Sequence, residues 1–196
     1  MIIPDGWMPK AAMSRIVTHW TVGTGEPSKF EADHYHFLIS ATGVVSRGRW
    51  PLTANEVGSS GFATGEYAAH VGNANSGAIG VSMCGMIGAE GPHRLGNFPL
   101  NQAQWDSLVS VCAQLCSRYS IQPVERFLLG HCEVKRVLGK DQKGKWDPWL
   151  GFAGIKQVSD VPARNWADVE KGWKIIGDRF RAEVALRMAE PRQGGA

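Results

Sequence analysis

The sequence predicts one α/β domain, a central mixed β-sheet flanked by α-helices. Three observations point there. Short β-branched and apolar runs are bounded by stretches rich in Gly and Pro. One long segment repeats apolar residues at three- and four-residue spacing. Strand-like and helix-like segments mix without strict alternation, which favours a mixed sheet. With 196 residues, the chain can bury one proper core and is short for two.

Taken in order, Arg15 to Val22 (RIVTHWTV) is β-branched and aromatic and ends at Gly23 to Pro27, so it reads as a strand. Tyr35 to Ser40 (YHFLIS) reads as a second strand. Ala41-Thr42-Gly43 is turn-like, and Val44 to Trp50 is the expected hairpin partner. Residues 53–65 hold many Gly, Ser, Thr and Asn and read as a loop, whereas Ala78 to Cys84 is short and apolar, as in a buried strand. Residues 85–100, rich in Gly and Pro, form a long loop. From Asn101 to Tyr119, apolar side chains at 105, 108, 109, 112, 115, 116 and 119 mark an amphipathic helix, with Asn101 as its N-cap. Arg126 to Gly130 is a short strand leading into His131. The stretch from His131 to Asp147 looks like neither helix nor strand, and Trp166 to Met188 reads as a second helix before a frayed tail. Residues 1–150 are thus expected to form the main domain. Residues 151–196 would be a helical extension that packs on it or completes it, with Trp166 and Trp173 as anchors.

Hydrophobic residues make up 43% and charged residues 20%, the balance of a globular protein rather than a disordered or membrane-embedded one. No apolar run reaches transmembrane length. The start, MIIPDGWMPKAAMSR, lacks a basic head followed by an apolar stretch, so synthesis in the cytoplasm without a signal peptide is expected. A net charge of +3 gives only a weak pull toward polyanions such as anionic cell wall. With no cluster of five Lys/Arg and no zinc-finger or helix-turn-helix pattern, nucleic acid is not an expected partner, nor is a membrane, and a monomer is expected. The four cysteines form no CxxC; Cys112 and Cys116 share one helix face and read as buried thiols.

Gly130 to Trp149, GHCEVKRVLGKDQKGKWDPW, carries the chemistry. A catalytic zinc commonly takes three nitrogen or oxygen ligands and leaves one position for water. His19 in the first strand, His131 at the end of a later one and Asp147 could supply that set. Residues two apart on an extended segment point the same way, so Lys145 would share a cavity with Asp147, where a cation can stabilise an oxyanion. Trp146 would point away, and Tyr35 could hydrogen-bond the attacking water. His34 and His36 form a rival HxH pair. Strand alternation puts them on one face and Tyr35 on the other, so Tyr35 and the pair cannot both face one metal, and spacing does not choose.

The order IVTHWT, YHFLISATGVVSRGR, YAAHVGNANSGAIGVSMCG, an amphipathic helix, GHCEV and KWDP resembles the zinc-dependent N-acetylmuramoyl-L-alanine amidases of the type 2 family. That group includes phage endolysins and is related to the peptidoglycan recognition proteins. The resemblance covers residues 14 to 150. It implies zinc held by His19, His131 and Asp147, with Tyr35 and Lys145 as catalytic residues. His70 is implied to line the substrate groove, with Asn73, Asn75 and Ser76 shaping the loop beside it. His34 and His36 then become residues of the other face. Some members carry a glutamate base in the strand matching AIGVSMC. Ser82 and Cys84 stand there in this chain, which places it nearer the phage branch. The segment between His131 and Asp147 is longer than in compact members and implies an extra loop at the groove edge, while Cys132 would point away from the metal.

The resemblance implies hydrolysis of the amide between N-acetylmuramic acid and L-alanine in peptidoglycan. An endolysin, acting on the wall in the periplasm after release, is the expected setting. A cytoplasmic muropeptide-recycling amidase and a non-catalytic peptidoglycan-binding module are the alternatives. A general zinc peptidase has no HExxH to support it.

Overall fold

The computed structural model describes residues 2–91, 93–152, 155–161 and 166–190, with Trp166 in its backbone only. Its strands are β1 (Arg15–Trp20), β2 (Phe37–Ile39), β3 (Val45–Arg47), β4 (Ala78–Met83) and β5 (Leu128–Gly130). They form one sheet in the order β3-β2-β4-β1-β5. The pairs β2–β4, β4–β1 and β1–β5 are parallel, and β3 is antiparallel to β2, so the sheet is mixed. The helices are α1 (Lys29–Ala32), α2 (Gly61–Thr64), α3 (Gln102–Tyr119), α4 (Val134–Leu138) and α5 (Trp166–Ala189). The single mixed α/β architecture is the one the sequence predicts.

Period-two alternation along the central strands divides the molecule into two sides. Ile16 and Trp20 of β1, with Ile79, Val81 and Met83 of β4, point into the main core, which α3 and α5 cover. Val17 and Ala78 point to the opposite face, where a smaller apolar cluster with Val71, Leu129 and Val134 lies. Because both faces are covered, β4 is buried along its whole length, as expected for an inner parallel strand.

Helix α3 starts where its polar side chains can satisfy its free N–H groups. Asn101 Oδ1 accepts from the Gln104 N–H at 3.2 Å, and the Asn101 N–H donates to Gln104 Oε1 at 3.3 Å, a reciprocal capping box. The Asn101 amide also donates to Ala41 O at 3.0 Å, which ties the cap to the β2–β3 turn. That turn needs Gly43, whose φ is +82°. Buried Gln104 donates to Ile39 O and Cys84 O, joining the ends of β2 and β4. Helix α5 crosses α3 at an aromatic node: the Phe180 ring lies 5.6 Å from Trp105 and 5.2 Å from Trp149, and Trp105 Nε1 donates to Glu183 at 2.8 Å. Trp173 is half-buried against the same core. The Trp166 side chain and the tail from residue 191 lie outside the described residues.

Several element boundaries differ from the sequence reading. β1 stops at Trp20, and Val22 takes a φ of +62°, incompatible with a continuing strand. β2 begins at Phe37 rather than Tyr35, because the His34 and Tyr35 N–H groups still donate to Glu31 O and prolong the turn of α1. The segment 53–65 contains most of a 3₁₀ turn at Leu52–Asn55, and α2. His131–Glu133 forms a 3₁₀ turn that runs into α4, so the first half of the stretch read as irregular is helical. Gly139, at φ +67°, ends α4.

Asn101→Ala removes one cap bond and the tie to Ala41. A loss of about 1 kcal/mol is expected, or roughly 2–4 °C in melting temperature for a chain of this size. Thermal unfolding followed by circular dichroism checks it; an unchanged melting temperature would mean the cap contributes nothing.

Candidate metal centre

The site lies on the sheet face opposite α3. His19 comes from β1, His131 from the turn after β5, and Asp147 from the loop beyond α4. His19 Nδ1 lies 3.1 Å from His131 Nδ1, and Asp147 Oδ2 lies 3.3 Å and 3.2 Å from these two nitrogens. All three residues are buried. Among the described residues they form the one group of three or more His, Cys, Asp or Glu side chains close enough to hold a metal ion.

The surrounding hydrogen bonds fix where the protons sit. His70 Nε2 faces Ala78 O at 3.4 Å, and a carbonyl can only accept, so this nitrogen carries the proton. His70 Nδ1 is then bare and accepts from His19 Nε2–H at 3.0 Å. The Nδ1 of a neutral His19 is therefore a bare lone pair. The same logic runs on the other side. Gln142 Nε2 donates to Gly72 O at 3.0 Å and Lys140 O at 3.3 Å, which orients the amide. Gln142 Oε1 then accepts from His131 Nε2–H at 2.8 Å. His131 Nδ1 is bare as well in the neutral ring. With both rings neutral, two lone pairs and a carboxylate oxygen converge with no proton between them. Such a set repels itself unless a cation sits at its centre, and two nitrogens with one oxygen suit zinc.

Burial pushes the His19 imidazole down to about 4, partly offset by the Asp147 carboxylate beside it, so the ring is neutral at pH 7. Burial alone would raise Asp147, but His131 and His19 outweigh it and hold the carboxyl below the usual carboxylate range. Burial also pushes the Tyr35 phenol up, so it stays protonated. The Tyr35 ring centroid lies 5.2 Å from that of His19, and its hydroxyl reaches Trp20 O at 3.4 Å. Lys145 is exposed at the rim, and its charge acts on His19. Trp146 packs edge-on against Trp20 at 4.6 Å.

His70 does not face an open groove. It is buried behind His19 with both ring nitrogens engaged, so the position implied for a groove residue is a support for His19 instead. Gly80 makes this possible: a Cβ there would stand 2.6 Å from the His70 ring. Asn75 Oδ1 accepts from the N–H groups of His70 and Val71. Asn73 and Asn75, with Arg15, Tyr67 and Lys140, line an open cleft of about 620 Å³. The rival histidines separate. His34 turns to Phe30, with Nδ1 2.8 Å from Phe30 O. Buried His36 accepts from the Gly80 N–H at 3.0 Å, and its ring lies 5.7 Å from His70. Tyr35 and His36 therefore both approach the histidine cluster, because no strand alternation holds before Phe37. Cys132 lies in a 3₁₀ turn, not a strand; it is buried in the main core, and its N–H donates to Asp147 O at 2.8 Å.

Sequence reasoning missed Gln142 and Glu133. Nothing marks Gln142 in a polar loop. Glu133, a charge between Cys132 and Val134 directly after the GH pair, was a visible signal.

The family described as "N-acetylmuramoyl-L-alanine amidase" matches residues 9–149. No sequence among curated proteins matches this chain. Among solved structures, the amidase AmiD from E. coli, in complex with the substrate anhydro-N-acetylmuramic acid-L-Ala-D-gamma-Glu-L-Lys, is similar at 18% identity and a TM-score of 0.47, over 81% of this chain and 66% of that one. The amidase LysC from Clostridium intestinale URNW is similar at 21% identity and a TM-score of 0.43, over 72% of this chain and 80% of that one. The drosophila peptidoglycan recognition protein SD is similar at 19% identity and a TM-score of 0.43, over 64% and 72%.

Burial holds the His36 imidazole down to about 3. An unfolded histidine titrates near 6.5, so between about pH 6.5 and the folded value the unfolded chain binds more protons. Stability of the metal-free protein is expected to be full above that window and to fall as pH drops through it. His36→Asn keeps an acceptor for the Gly80 N–H and removes the titration, so it should flatten the slope. Urea unfolding at pH about 7.5, 6 and 5 measures this; equal slopes would exclude a contribution from His36.

Proposed function

The chain belongs to the N-acetylmuramoyl-L-alanine amidase family, and on that premise we propose that it cleaves peptidoglycan by zinc-dependent hydrolysis. The bond is the amide between the lactyl carbonyl of N-acetylmuramic acid and L-alanine of the stem peptide. The convergence of His19 Nδ1, His131 Nδ1 and Asp147 Oδ2, with no proton between them, carries the reading. Zinc held there supplies a Lewis acid that lowers the pKa of a water and polarises a carbonyl oxygen.

The chain's own residues do the rest. His70 and Gln142 hold the two imidazoles in the ligating tautomer. Tyr35, kept protonated by burial, can donate a hydrogen bond to the water or to the oxyanion. Lys145 brings a cation to the rim, where negative charge develops on the carbonyl oxygen. In the net reaction the water oxygen bonds to the lactyl carbon and the C–N bond breaks. The proton goes to the departing amine, leaving a muramic carboxylate and a free stem peptide.

We place the activity in the wall-lytic, endolysin-like branch. The support is Ser82 and Cys84, which stand where other members carry a glutamate base; Ser82 lies directly opposite His19 in the β1–β4 register. Intact wall is then the substrate, made accessible to the protein at lysis.

Purified peptidoglycan incubated with the protein should release stem peptides that begin at L-alanine, detected by mass spectrometry, and a chelator should abolish the release. Intact wall and small anhydro-muropeptides both left unchanged by a zinc-loaded protein would sink the amidase reading in favour of a binding module. Cleavage of small anhydro-muropeptides but not of sacculi would move it to the recycling branch.

Asp147→Ala is expected to lose both zinc and activity. Lys145→Ala should keep its zinc and lower turnover by roughly 10²-fold, the scale of losing one oxyanion partner. Zinc content by atomic emission and turnover on the same samples separate the two roles; full turnover in Lys145→Ala would remove Lys145 from the mechanism.

A further inference from the structure

Glu133 sits two residues after His131 and is fully buried. Its Oε2 accepts from the Gly130 N–H at 2.9 Å, just before His131, and from Trp149 Nε1 at 3.3 Å, two residues after Asp147. One carboxylate thus grips the chain on the outer side of both ligands. On the inner side, the Cys132 N–H donates to Asp147 O at 2.8 Å. His131 and Asp147 are therefore held in mutual register by a frame whose centre is Glu133.

That frame needs a buried cation, and α5 supplies it. Arg181 Nη1 donates to Glu133 Oε2 at 3.0 Å and Nη2 to Oε1 at 3.2 Å, a paired fork-to-carboxylate contact. Nη1 also donates to Leu128 O in β5 at 3.0 Å, and Nη2 to Asp178 at 2.9 Å. Arg136 reaches Glu133 Oε1 at 3.3 Å but is about half exposed. Gly177 keeps the space open: a Cβ there would stand 2.7 Å from both Arg181 Nη2 and Glu133 Oε1. The family match ends at residue 149, so Arg181 lies beyond it.

We propose that Arg181 is a positioning residue: through Glu133, α5 holds His131 and Asp147 in the geometry that takes up the metal. This rests on the zinc reading above, and it adds that the C-terminal helix is part of the metal centre rather than a mere prop for the fold. A residue that orients ligands through their supports changes metal affinity about 10- to 100-fold. One that only stabilises the fold changes the melting temperature and leaves affinity in the folded protein alone.

The test compares Arg181→Met with Val184→Ala in the full chain. Val184 is a buried core residue one turn along α5 with no bond to Glu133. Zinc affinity of each folded, metal-free protein is measured by competition with a chromogenic chelator, beside thermal melts. Arg181→Met is expected to weaken zinc binding about 10- to 100-fold, while Val184→Ala melts lower and binds zinc like the wild type. Equal affinity in Arg181→Met and wild type overturns the inference, as does an equal loss of affinity in both variants. Should Arg181→Met not fold, Arg181→Lys keeps the charge without the paired donors, and wild-type affinity there overturns it too. A wild type that takes up no zinc sinks the metal-centre reading itself and this inference with it.

Discussion

Two backbone carbonyls decide what the paired histidines can do. Ala78 O, at the start of β4, obliges His70 to carry its proton on Nε2. Gly72 O orients the Gln142 amide. From these fixed acceptors the proton positions propagate through His70 to His19 and through Gln142 to His131. Both chains end in a bare Nδ1 at the centre. The tautomer of each neutral ring is thus written into main-chain geometry, and the side chains between only transmit it. The chain on both sides of His70 is held to the same standard: Asn75 Oδ1 takes the N–H groups of His70 and Val71, and Asn55 makes reciprocal bonds with the Ala68 main chain. Gly80 completes the arrangement, because only a strand residue without a side chain lets the His70 ring lie against β4.

Charge balance follows from that arrangement. As metal ligands, two neutral imidazoles and one carboxylate would give the buried site one negative charge, which costs heavily unless it is compensated. A divalent cation held there would reverse the sign of the site's charge. Burial keeps the Tyr35 phenol beside the site neutral. Lys145 stays at the exposed rim.

Much of this was legible in the sequence, and the failures are specific. The central strands and α3 follow from alternation and helical spacing because both segments are buried on the faces that the patterns mark. The ligand triad was not separable from the His34/His36 pair on spacing alone; the resemblance chose. The alternation argument broke down because the α1 turn runs on through Tyr35. Its cause was readable: Ser28-Lys29-Phe30-Glu31 is a capping-box sequence, and the box forms. The helical start of the segment after His131 was hidden by the Gly and Lys residues further along it. Gln142 could not have been found, since its role depends on a carbonyl 70 residues away in sequence. The Glu133–Arg181 pair spans 48 residues, and sequence shows only two charges with no sign that they meet.

The sheet links these parts because each strand serves both faces. Ile16 and Trp20 sit in the core under α3, while their alternating neighbours face the other side, Val17 in the smaller apolar cluster and His19 in the site. A shift of β1 by one residue would exchange the two sets. Whatever fixes the register of β1 therefore fixes His19, and the packing of α3 and α5 on the far face is what penalises any other register. The aromatic node of Trp105, Trp149 and Phe180 extends the same coupling to the other ligands, since Trp149 belongs both to that node and to the Glu133 frame beside Asp147. On this view the C-terminal helix acts on the site twice: by dispersion and burial through Phe180, which any apolar helix could provide, and by a directed ion pair through Arg181, which only a guanidinium at that position can. The first makes the fold stable. The second ties the chain segments that carry His131 and Asp147 to one buried carboxylate.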